Sequence, residues 1–118
     1  MHEMALMGDI LQIIQEDAAG KGIEKIQKVE LIVGDISNAL PDALEMAFEI
    51  FKEQNLHFFE KGARLVIHRE EAKAECILCG KEYIPDQKLA FCPDCSMPSG
   101  KMVSGETFQI LSYEGRQQ

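Results

Sequence analysis

Cys76-Ile77-Leu78-Cys79-Gly80 and Phe91-Cys92-Pro93-Asp94-Cys95 decide how this 118-residue chain is built. Two residues separate the cysteines within each pair, and twelve lie between the pairs. A two-residue gap lets a tight turn aim both sulfurs at one point. Two such turns close a tetrahedron around Zn²⁺, with each sulfur at about 2.3 Å. Gly80 and Pro93 suit these turns, because glycine permits positive φ and proline pre-sets its own. The spacing also admits two disulfides, or an iron held by four thiolates. Disulfides require an oxidising compartment, and the chain opens with no secretory signal. A four-thiolate zinc has no open position for a catalytic water, so it is structural. Such a site contributes on the order of 10–16 kcal/mol of apparent binding free energy. That is enough to hold some thirty residues with few large apolar side chains.

Outward from the cysteines, the chain reads as strands and helices that belong together. Residues 63–69 read as a strand, with Leu65 and Ile67 facing one way and Val66 the other. A last strand is expected over 106–113, carrying Phe108, Ile110 and Leu111. Upstream, Val29, Leu31 and Val33 alternate in a strand over 26–33, and Gly34-Asp35 marks a turn. Leu44, Ala47, Phe48 and Phe51 form one stripe of a helix over 41–54, opened by Pro41. Met4, Met7, Ile10, Leu11, Ile14 and Ala18 recur at helical steps over 4–19, and Gly20 and Gly22 end that run. Met4, Met7 and Met46 are expected in the core. A strand, a helix and a second strand make a crossover, so the first two strands should run parallel.

The expected fold is α+β in two layers, with two helices on a three-stranded mixed sheet. A four-cysteine, zinc-ribbon-like module is inserted into it. Residues 1–72 plus 103–118 form the main domain, and residues 73–102 the zinc-binding domain. A core this small would gain from dimerisation, so a homodimer is admitted.

Charge narrows the partners. The formal net charge is −8, with 46% hydrophobic residues. Zinc ribbons that bind nucleic acid use basic surfaces to displace counterions, so no nucleic-acid partner is expected. An acidic chain suits cations or a basic protein surface. No apolar run approaches the roughly 18–20 residues that span a bilayer, so no membrane partner is expected either. The expected location is cytoplasmic.

The opening Met1-His2-Glu3 is a second candidate metal site. Removal of an initiator Met generally needs a small second residue, so Met1 should keep its free α-amine. An α-amine has a pKa of about 7.7–8.0 and yields its proton to a metal near neutral pH. The amine and the His2 backbone nitrogen close a five-membered chelate ring. The His2 imidazole and the Glu3 backbone nitrogen complete a planar nitrogen set, which suits Ni²⁺ or Cu²⁺ and suits Zn²⁺ poorly. The plainer reading is a free chain end. His57 reads as a surface or half-buried residue, and His68, late in a strand, as an exposed cross-strand contact. With no phosphate-binding loop present, any GTP hydrolysis must belong to a partner.

These features converge on one family. The opening Met1-His2-Glu3-Met4-Ala5-Leu6, the turn Gly34-Asp35-Ile36-Ser37, the segment Ala43-Leu44-Glu45-Met46-Ala47-Phe48-Glu49 and the two cysteine pairs resemble the HypA/HybF family of hydrogenase nickel-incorporation proteins. The resemblance covers essentially the whole chain. It implies a nickel metallochaperone, not an enzyme. Nickel(II) would be transported at Met1, His2 and Glu3, and structural zinc(II) held by Cys76, Cys79, Cys92 and Cys95. It implies a HypB-type GTPase partner and delivery to the hydrogenase large-subunit precursor, with urease maturation proteins as further partners. Some members place a carboxylate from the turn after the first strand near nickel, and Asp35 is the matching position. Read locally, Asp35 simply closes that turn. The competing functional reading is an acidic zinc-ribbon adaptor for protein–protein interaction without nickel transfer.

Overall fold

A computed structural model of the chain describes residues 2–85 and 91–117. Met1, the first member of the expected nickel set, lies outside the described residues. In chain order the elements are α1 (His2–Gly20), β1 (Ile23–Gly34), α2 (Pro41–Gln54), β2 (Phe59–Glu70), β3 (Lys73–Cys76), β4 (Glu82–Tyr83), β5 (Gly100–Ser104) and β6 (Phe108–Gln117). They give two three-stranded sheets, ordered β2-β1-β6 and β4-β3-β5. The first sheet is mixed. Ile26 N–H donates to Phe58 O (2.8 Å) and Asp35 N–H to Glu70 O (2.9 Å), so β1 and β2 run the same way. Gly34 N–H donates to Thr107 O (2.6 Å), while Glu30, earlier on β1, meets Ser112, later on β6 (2.8 Å). β6 therefore runs antiparallel to β1. The second sheet is antiparallel throughout, pairing Ala74 with Tyr83 on one side and with Met102 on the other. Two helices with these sheets and a cysteine module are the α+β architecture that the sequence implies.

Two compact units divide the described chain. The first comprises the chain up to Leu31, Ala39–His68 and the chain from Gln109. Its core draws Met7, Ile10, Leu11, Ile14 and Ala18 from α1, and Leu44, Ala47 and Phe48 from α2. Ile26, Val29 and Leu31 of β1 meet them, an alternation in which Glu30 points the other way, half-buried. Phe59 packs edge-on against both Phe48 and Phe58, with ring centroids 5.6 and 5.1 Å apart. Such pairing adds about 0.5–1.5 kcal/mol to the area buried. Lys52 is also buried, and its ammonium is satisfied by Ala63 O (3.1 Å) and Glu49 (2.9 Å). Met46 departs from expectation, being 68% exposed. It lies two residues past Leu44, about 200° around a helix of 3.6 residues per turn, opposite the buried stripe.

The second unit comprises Ile32–Asn38 and Arg69–Phe108. Its strands enter and leave the cysteine segment through a tight clasp. The Glu70 carboxylate accepts from Gly105 N–H (2.7 Å), Thr107 N–H (3.3 Å) and the Thr107 hydroxyl (3.0 Å). Ser104 Oγ donates to Glu71 O at 2.8 Å. Gly105 has φ +108°, and a Cβ there would sit 2.6 Å from Ala72 Cα. Only glycine meets both demands.

Candidate metal centre

The four cysteine sulfurs lie within 4.8 Å of one another. Cys76 and Cys95 are 3.8 Å apart at sulfur, and Cys79 and Cys92 are 3.7 Å apart. A tetrahedron with bonds of about 2.3 Å has edges of about 3.8 Å, so the donor set fits a structural zinc. Each knuckle builds this geometry locally. Leu78 N–H and Cys79 N–H point at Cys76 Sγ, both at 3.4 Å. Cys95 N–H points at Cys92 Sγ at the same distance. Gly80 N–H returns to Cys76 O (2.9 Å) and Ser96 N–H to Cys92 O (2.8 Å). Both Gly80 and Ser96 have positive φ, 78° and 54°. The second turn thus rests on Ser96 as the first rests on Gly80, alongside the Pro93 expected from sequence. Ser96 follows Cys95 as Gly80 follows Cys79, so the parallel was there to be read.

The cysteines are not equivalent. Cys76 and Cys92 are buried, Cys95 is half-buried and Cys79 is exposed. The Ser99 hydroxyl sits 3.1 Å from Cys76 Sγ. That contact, with the Cys79 and Leu78 amides, brings the Cys76 thiol down to about 6. Cys95, facing Cys79 and Cys76, is pushed up to about 12 without a metal. Hydrogen bonding with Cys79 and Cys76, then burial, keep the proton on Cys95, and a dication displaces it. The sequence gives no sign of the Ser99 contact with Cys76, which spans 23 residues.

His2 and Glu3 lie in the first turn of α1. His2 is exposed and starts the helix, whereas Glu3 is buried to 7% exposure. The helix therefore begins two residues earlier than its apolar periodicity, since a first turn needs no apolar side chains. The first four N–H groups of a helix have no intrahelical acceptor. Glu3 supplies one: its own backbone N–H and that of Leu40 hold its carboxyl below the ordinary 4.5. The Leu40 contact measures 3.2 Å. Leu40 is the N-cap of α2 and has no side-chain cap, so Glu3 caps α2 from across the unit.

Asp35 lies in the second unit and accepts from Arg69 Nε (3.0 Å) and an Arg69 terminal nitrogen (2.8 Å). His68 is exposed and 2.9 Å from Glu30, a cross-strand contact, and His57 is exposed. Among the described residues, the four cysteines are the one cluster of His, Cys, Asp or Glu spaced to hold a metal. No described helix is long and apolar enough to cross a membrane.

The chain is similar to known proteins in sequence and in fold. A family described as hydrogenase/urease nickel incorporation, metallochaperone, HypA, matches residues 1–115. The hydrogenase maturation factor HypA of Moorella thermoacetica is 36% identical over 115 residues, covering 98% of this chain and 99% of the relative. That of Lawsonia intracellularis is 38% identical over 119 residues, covering 97% and 98%. Among solved structures, a HypA solution structure superimposes with a TM-score of 0.67 at 26% identity, covering 100% of this chain and 98% of the other. The nickel metallochaperone HypA from Helicobacter pylori gives 0.64 at 25% identity, covering 98% of both. Agreement of this extent in sequence and fold leaves one assignment: the chain belongs to the HypA family of hydrogenase/urease nickel-incorporation proteins, which are metallochaperones and not enzymes.

Proposed function

We propose that this chain binds Ni²⁺ at its amino terminus, through Met1, His2 and Glu3. It hands the ion, with a HypB-type GTPase, to the precursor of the nickel–iron hydrogenase large subunit. Urease maturation proteins are a second class of recipient, and the setting is the cytoplasm. The observation that carries the reading is the placement of His2 and Glu3 in the free first turn of α1. Neither backbone nitrogen has a helical carbonyl partner to lose; the Glu3 N–H meets only its own carboxylate, and His2 holds its imidazole in solvent. Glu3 contributes its backbone nitrogen, while its carboxylate ties the turn to Leu40. Deprotonated backbone nitrogens are planar, strong-field donors that favour nickel over zinc. Asp35 is a further candidate donor, since both Arg69 contacts fall on its Oδ1 and leave Oδ2 to serve.

Cys76, Cys79, Cys92 and Cys95 hold a structural zinc in this reading. Residues 73–102 form the zinc-binding domain, and residues 1–72 plus 103–118 the nickel-binding one. A second reading, a zinc-ribbon adaptor without nickel transfer, draws on the apolar side chains that the cysteine module leaves exposed. Ile77 and Leu78 at the first knuckle are 72% and 62% exposed, and Phe91 and Met97 about half.

The test is a Ni²⁺ titration of zinc-loaded protein with a native, untagged amino terminus, read by the visible absorption of square-planar nickel. One equivalent should bind. Acetylating the α-amine or replacing His2→Ala should abolish tight binding while leaving the fold and zinc in place. Equal binding in all samples moves the site elsewhere, and Asp35→Asn then tests the second donor. No binding in any sample leaves the adaptor.

A further inference from the structure

We propose that a groove between α2 and the edge strand β2 docks a basic amphipathic helix of a partner protein. α2 turns its buried stripe of Leu44, Ala47 and Phe48 inward and leaves a second apolar pair outside. Met46 is 68% exposed and Ile50 43%, and residues four apart on a helix are neighbours. With Leu65 of β2 they line a groove beside Phe48. β2 is an edge of the first sheet, so among the described residues no strand pairs with that side. Two apolar anchors one turn apart match the spacing of an amphipathic helix lying in a groove. Methionine suits such a contact because its flexible, polarizable side chain adapts to a partner.

Charge selects the occupant. Asp42, Glu45 and Glu49 rim the groove, against one guanidinium, Arg64. Glu49 already shares Lys52 at 2.9 Å. Among the described residues neither Asp42 nor Glu45 has an ion-pair partner. The rim therefore offers two unneutralised carboxylates beside the apolar pair, within a chain of net charge −8. A second copy of the same groove would set like charges against one another, and an anionic lipid surface would be repelled as well. Lysines or arginines flanking leucine-like anchors answer both features and would be steered towards the site. The groove residues are separate from Met1, His2, Glu3 and Asp35, so the inference stands apart from the nickel reading.

The probe is a synthetic helical peptide of Leu and Lys, with Leu at i, i+3, i+4 and i+7. It is titrated calorimetrically into the full, zinc-loaded chain. The controls are a scrambled peptide of the same composition and a Leu/Glu peptide of the same pattern. One equivalent of the Leu/Lys peptide should bind. Met46→Asp with Ile50→Asp adds negative charge yet removes the anchors, and should weaken binding roughly tenfold or more. Asp42→Asn with Glu45→Gln should weaken binding and flatten its salt dependence. Equal affinity for the scrambled or Leu/Glu peptide overturns the proposal, as does an unchanged affinity in the Met46/Ile50 double variant. Sedimentation that shows a dimer lost in that variant would hand the groove to a second copy instead. Both variants change surface residues, and helical circular dichroism with Ni²⁺ titration on the same samples confirms their fold.

Discussion

Glu70 accepts three hydrogen bonds from Gly105 and Thr107, and these hold its carboxyl below the ordinary 4.5. The folded chain thus binds this proton less readily than the unfolded chain does. The stability Glu70 confers is complete above about pH 4.5 and is lost as pH falls through the depressed folded value. Glu70→Gln should therefore destabilise the protein at neutral pH and flatten its acid-unfolding profile below that point. Equal dependence on pH in variant and parent would mean that the clasp does not feel the charge. Glu3 follows the same sign, since Leu40 N–H and its own amide favour its ionised form. Glu3→Gln keeps a carbonyl acceptor for Leu40 and should retain more thermal stability than Glu3→Ala. Sequence marks Glu3 as part of a ligand set through its backbone. It gives no sign of the carboxylate contact, because Leu40 is 37 residues away. Cysteine spacing, by contrast, is a local signal, and the four sulfurs meet as the spacing implies.

At the level of elements, legibility followed periodicity. α2 runs over Pro41–Gln54, the bounds that its proline and its apolar stripe imply. β1 and β2 extend beyond the residues that alternation marks, because their outer residues are held by neighbouring strands and not by their own pattern. β3, β4 and β5 have two to five residues each, so the alternation that β3 and β5 show in their burial is too brief to mark a strand in the sequence. Phe48 of α2 is among the largest fully buried side chains. Phe48→Ala removes a ring that touches Phe59 and should cost about 3–5 kcal/mol in urea unfolding. Gly105→Ala forces a side chain into positive φ against Ala72. It should cost about 1–3 kcal/mol, more than an exposed glycine such as Gly62.

For the whole molecule, the informative perturbation is removal of zinc. Among the described residues, the segment 73–102 buries little besides Ala74, Cys76, Pro85 and Cys92, whereas α1, α2 and β1 enclose an apolar core of their own. Chelation at neutral pH, or Cys76→Ser, should collapse the dispersion of amide signals in residues 73–102. The helical circular dichroism should remain largely intact. A cooperative loss of both would show that the first unit needs the metal as well. The clasp has a further consequence. Ala72 and Gly105 touch, so the chain leaves for the cysteine segment and returns at the same point. A segment closed at its base imposes little on what lies beyond: doubling the length of a flexible loop adds only about 0.6 kcal/mol of closure entropy. In evolutionary terms the segment is a cassette, open to growth, trimming or exchange while the residues that grip its two ends stay fixed.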